Sequence, residues 1–251
     1  MIVLLAIFAH ADPGVDADIV RPLGSFGEVN WTDMVVTATG DAQRRTTEGL
    51  EGVEASAERV ASSALRLAIE RVQVQNSLTV GELLNESEIG KQVATRMLKR
   101  TISKVTYGER DDVALELTLP LSDLLKPWTW QRLDEPTGEA SAVDASGLII
   151  DARGHRVDPA WAPRIIDSEG SDVYTGQLSA AAIRRVSPAV YVRNAASDAA
   201  SRAGPNPIFV GVQKVRGSEF FLSEAGTQII AGDASVYDRL LEGHLVIVMD
   251  P

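Results

Sequence analysis

Residues 147–174 constrain the fold of this chain more tightly than any other stretch. Gly147-Leu-Ile-Ile-Asp-Ala-Arg-Gly154 is an apolar run that ends in Asp151, Arg153 and Gly154. Pro159-Ala-Trp-Ala-Pro163-Arg164-Ile-Ile is a second run, which breaks at Asp167-Ser-Glu-Gly170 and resumes at Val173 and Tyr174. Short apolar runs separated by proline and glycine signals predict a strand, a Pro-bounded connection and then a β-hairpin, with Gly170 taking positive φ in its turn. Asp151 and Arg153 are two apart, hence on one side of a strand, and predict an ion pair that fixes the strand end. A catalytic pair in a cleft is the sharper alternative. Asp167, Glu169 and Asp172 cluster oxygens as a loose Ca²⁺ loop would. Their spacing fails the EF-hand pattern and lacks its terminal bidentate Glu, so a plain turn is expected.

The remaining segments predict two α+β units. Residues 12–28 carry Pro13, Gly14, Pro22, Gly24 and Gly27 and read as an N-terminal arm. Residues 29–39, rich in β-branched side chains and Trp31, read as one strand closed by Gly40-Asp41. Residues 47–75 are the clearest helix: Val53, Ala57, Val60, Ala61, Ala64, Leu67, Ala68 and Val72 recur at three- and four-residue spacing. Its apolar face is mostly alanine, so it should lie flat against a sheet, with a ligand channel as the alternative for such a stripe. After a short apolar piece at 79–84, Ser87 caps a second helix carrying Ile89, Val93, Met97 and Leu98. Strands follow at 102–107 and 113–119, the second alternating apolar with polar residues. Residues 126–145 read as a linker holding Trp128 and Trp130, which either dock on the first domain or form a contact with another subunit. Beyond the opening motif, residues 178–202 look helical around a break at Pro188, and 208–215 and 220–222 look like strands. Two short helical pieces and a buried strand at 245–249 close the chain. The organisation expected is an arm to residue 28, domain 1 at 29–125, a linker at 126–145 and domain 2 at 146–251, each domain a mainly antiparallel sheet packed with helices.

A net charge of -11 disfavours nucleic acid and anionic lipid as partners, and the paired bases Arg44-Arg45, Lys99-Arg100 and Arg184-Arg185 are too isolated to offset it. With no cysteine, the chain has no disulfide, thiol chemistry, Cys-based zinc site or lipid-modified Cys of its own. Residues 1–11 form an apolar run ending in Ala9-His10-Ala11, a cleavage-site pattern. The run is too short to span a bilayer as a helix and lacks a basic start. It reads as a signal peptide with a truncated or misassigned start, which implies a periplasmic or extracellular protein. The alternative is a short first strand or buried arm of a cytosolic protein. No later segment is long and apolar enough to cross a membrane.

The search for chemistry returns little. The three histidines are His10, His155 and His244, and no metal or nucleophile spacing joins them. Gly49 and Gly52 lack a Walker lysine, and residues 204–207 form a rigid Gly-Pro-Asn-Pro turn. No cofactor and no catalytic residue is predicted.

Most of the chain resembles the lipoprotein-20-like family of bacterial cell-envelope proteins, which includes components of flagellar outer-membrane disks: the first domain in its strand–helix–helix–strand–strand layout alone, the second by motif. The motif that carries the resemblance is Gly147, Asp151, Arg153 and Gly154, then Pro163, Arg164, Asp167, Gly170 and Tyr174, then Asn206 and Pro207 with the closing Val246-Ile-Val-Met-Asp250. The resemblance implies a secreted protein that assembles with itself or with an envelope partner, and it brings no catalytic residues. The chain departs from the family in lacking the lipid-anchoring Cys. The expectation is therefore a non-enzymatic periplasmic or secreted protein that acts through self-assembly or partner binding, with a flagellar or other envelope structure as the assembly the resemblance implies, and with Trp128 and Trp130 as candidate interface residues. The rival expectation is a small-molecule or metal-dependent enzyme with an inter-domain site built from Asp151, Arg153 and His155.

Overall fold

The computed structural model describes residues 18–44, 49–86, 101–108, 112–125 and 145–250. The expectations for the leader at 1–11, the helix after Ser87 and the Trp128/Trp130 pair fall outside those residues.

The first half is built on one antiparallel sheet. Strands β1 (Val20–Pro22), β2 (Glu28–Asn30) and β3 (Val35–Ala42) precede helix α1 (Leu50–Glu70), the small pair β4 (Gln73–Gln75) and β5 (Leu78–Thr79), and helix α2 (Val80–Glu86). Strands β6 (Ile102–Tyr107) and β7 (Val113–Pro120) and the short helix α3 (Leu121–Leu125) follow, and the sheet runs β1-β2-β3-β7-β6. The alanine stripe does what its spacing predicts. Val53, Ala57, Ala61, Leu65 and Ala68 are buried against β3 and β7. The approach is close enough that a Cβ on Gly40 of β3 would stand 2.2 Å from the Ala61 nitrogen and 2.3 Å from the Ala57 carbonyl oxygen. Small residues on both elements let the backbones meet.

Three sequence expectations change here. Residues 29–39 are not one strand but a hairpin: the Asn30 side-chain oxygen accepts from the backbone N–H groups of Thr32 and Asp33, both at 2.9 Å, and turns the chain. Met34 takes φ 58 at the end of that turn, and Trp31 within it is 2% exposed. The arm at 12–28 contains, in its described part, the strand β1 and the turn into β2. The helix stops at Glu70 rather than continuing to 75. The Gln73 and Val74 carbonyls instead accept from the N–H groups of Trp161 and Ala162 in the second half, at 3.0 and 2.8 Å. That hydrogen-bonded edge outcompetes another helical turn.

The second half holds ten strands and helices around two further sheets. β8 (Gly147–Asp151), β9 (Arg164–Ile166) and β10 (Asp172–Tyr174) realise the predicted strand, connection and hairpin, with β9 and β10 antiparallel and Gly170 at φ 94 between them. Strand β11 (Val190–Val192) comes next, then β12 (Pro207–Gly211), β13 (Lys214–Arg216), β14 (Glu219–Phe221), helices α4 (Glu224–Ala231) and α5 (Ala234–Leu241), and β15 (Leu245–Val248). One sheet runs β10-β9-β14-β13 and the other β11-β15-β8-β12.

The α+β class holds, but the sheet β11-β15-β8-β12 is parallel throughout rather than antiparallel. Its strands β8, β11 and β15 are near-continuous apolar runs buried along their length, the pattern of strands covered on both faces. Residues 189–203, expected to be helical, contribute β11 and only a short 3₁₀ stretch at Asp198–Ala203. Val190-Tyr-Val192 is β-branched and aromatic, and its pairing with β15 overrides the alanine content around it. Residues 208–215 split at Gly211, because β12 pairs with β8 in one sheet and β13 with β14 in the other.

Hydrogen bonds tie the halves together. Tyr191 of β11 donates its N–H to the Trp31 carbonyl at 3.2 Å, and its own carbonyl accepts from the Thr32 hydroxyl at 2.8 Å. The Trp31 and Tyr191 rings meet edge to face with centroids 5.9 Å apart.

Candidate functional site

The carboxyl edge of the parallel sheet is where open parallel sheets most often present ligand-binding loops, and it carries Asp151, Arg153 and His155. β8 ends at Asp151, and the chain folds over through Ala152, whose N–H donates to the Val248 carbonyl at 2.8 Å. Gly154 turns at φ 81, and its N–H donates to the Asp250 carboxylate at 2.6 Å. Asp151 and Arg153 form the expected ion pair: Nε donates to Oδ1 at 2.8 Å and Nη2 to Oδ2 at 2.5 Å. The pair is bidentate, a geometry that adds direction as well as energy. Arg153 holds the Asp151 carboxyl below the usual carboxylate range, chiefly through the side-chain hydrogen bond, and is itself held more firmly protonated by that carboxylate. A carboxylate shifted downward and occupied on both oxygens anchors a loop; a general base near neutral pH needs the opposite shift. His155 lies half-buried in the same loop, its backbone N–H bonded to the Ala152 carbonyl at 3.2 Å. Among the described residues, no three of His, Asp and Glu come together as metal ligands would.

The other motif positions have structural work that the geometry identifies. A Cβ on Gly147 would stand 2.6 Å from the Ala203 carbonyl oxygen and 2.7 Å from that of His244. Arg164, after Pro163, donates to Asp172 on the hairpin at 2.6 and 2.9 Å and to Glu219 on β14 at 2.7 Å. Glu219, 4% exposed, takes a second guanidinium from Arg216 at 2.6 Å. The Asp167 carboxylate accepts from the N–H groups of Glu169 and Ser171 at 2.9 and 2.8 Å, so it closes the hairpin turn. The buried Tyr174 hydroxyl donates to the Gln177 carbonyl at 2.8 Å, and burial pushes its ionisation upward. The Asn206 carbonyl accepts from the Ser146 backbone N–H at 3.1 Å and the Asn206 N–H donates to the Ser146 hydroxyl at 2.9 Å, and Pro207 then opens β12 opposite Gly147. Asp151, Arg153 and Gly154 meet at one strand end, whereas Arg164, Asp167, Gly170 and Tyr174 lie on the separate β9–β10 hairpin.

Three features escape sequence reasoning. Tyr191 was hidden inside an expected helix. Arg202, half-buried and with no carboxylate partner among the described residues, donates to the Gly243 carbonyl at 2.5 Å and to the Ser187 hydroxyl at 2.8 Å, and also to the Ser187 carbonyl. Burial pushes its guanidinium down to about 10. The third is the sheet edge at β6. All six of its residues are exposed, with Ile102 at 65%, Val105 at 39% and Tyr107 at 56%. Val105 and Tyr107 stand opposite Leu115 and Val113, on the side that α1 covers, and the Tyr107 hydroxyl donates to Glu54 of α1 at 2.8 Å. Leu50, one turn before Glu54, is 43% exposed. On the far flank of α1, Phe26, Val60, Ala64 and Leu67 border an open groove of about 560 Å³.

Residues 147–251 match the family described as Treponema pallidum Tp0624, second domain. The match covers the half of the chain that contains the parallel sheet and all eleven structural motif positions from Gly147 to Pro207. No curated protein matches the chain.

Proposed function

We propose that this chain is a non-enzymatic protein of the bacterial envelope, periplasmic or secreted, that acts by assembling with itself or with a protein partner. The observation that carries the reading is β6: among the described residues it is an edge strand, and its six residues are all exposed and include Ile102, Val105 and Tyr107. Native proteins usually shorten, charge or cover such an edge, because its free N–H and C=O groups template another strand. Lys104 is the one charge on this strand.

The envelope setting is supported by the apolar run ending in Ala9-His10-Ala11 and by the motif resemblance to the lipoprotein-20-like family. An assembly at the flagellar motor is what that resemblance implies in its most specific form. The Tp0624 match supports a bacterial family for the second half. Trp128 and Trp130 remain proposed contact residues, since indoles are over-represented where interfaces concentrate their energy. Among the described residues no helix is long and apolar enough to cross a membrane.

Cross-linking in the native cell, followed by fractionation, tests this reading. The expected result is a cross-linked species larger than the chain, recovered outside the cytoplasm; a lone chain in the cytosol contradicts it. A second reading, an enzyme using Asp151, Arg153 and His155, is favoured by one observation: those residues sit at the carboxyl edge of a parallel sheet. A thermal-shift screen of small metabolites against wild type and Asp151→Asn separates it, since a ligand shift abolished by the substitution supports the enzyme.

A further inference from the structure

We draw no further inference here: the strongest candidate, the open groove that Phe26, Val60, Ala64 and Leu67 border on the far flank of α1, is an apolar face, and nothing in the structure shows what covers it.

Discussion

Two glycines of one motif are required for different reasons, and substitution separates them. Gly147 has backbone oxygens on either side of the space a Cβ would fill, at 2.6 and 2.7 Å, and neither can swing away as a side-chain tip would. Gly147→Ala should therefore cost about 2–3 kcal/mol or more through overpacking. Gly170 has open space around it but sits at φ 94. Gly170→Val should cost about 1–3 kcal/mol through backbone strain alone. Glu169→Ala, which removes an exposed turn side chain, should be close to neutral. Urea denaturation of the three variants checks the order, and a rise in melting temperature with Ca²⁺ would contradict the turn assignment. The motif positions were legible because glycine and proline spacing reports backbone geometry directly. Tyr191 was not, since nothing adjacent in sequence reveals that its hydroxyl would meet the Ala160 backbone. That hydroxyl donates to the carbonyl at 2.8 Å and accepts from the N–H at 3.0 Å.

At the scale of elements, the alanine face of α1 and Gly40 are one device. The helix can lie on β3 only while both surfaces stay small. Gly40→Ala should push α1 off the sheet and cost more than about 2 kcal/mol, with faster amide exchange spreading along α1 and β3. Periodicity made α1 and the strand β7 legible, because each buries one face of a regular repeat. It misread residues 189–203, where alanine suggested a helix and a three-residue parallel strand formed instead. A parallel partner 50 or more positions away leaves no local trace: β11 pairs with β15, and β8 with both β12 and β15. The split of residues 208–215 between two sheets was hidden for the same reason. The exposure of β6 was equally hidden, since a sequence shows which residues can form a strand and not which strand lies at an edge.

At the scale of the whole molecule, the sequence reads as two units, and the described residues carry hydrogen bonds from one half to the other. Tyr191 meets Trp31 and Thr32, while Trp161 and Ala162 meet Gln73 and Val74. A chain joined in this way should unfold in a single transition. Tyr191→Phe, which strips the Ala160 backbone of its partner, should lower that transition as a whole by about 1–3 kcal/mol. Two separated melting steps in calorimetry would contradict the coupling. The proposed assembly, in contrast, rests on what the molecule presents outward. Asp151 is engaged by Arg153 at the carboxyl edge of the parallel sheet, and all six residues of β6, an edge strand among the described residues, are exposed. The central claim is that the protein works by assembly, and sedimentation equilibrium of the wild-type chain across protein concentration and salt tests it most directly. The account predicts a particle heavier than the 26.9 kDa chain, its share rising with concentration and with salt. A mass of one chain under every condition, with no partner cross-linked in the native cell, would contradict it.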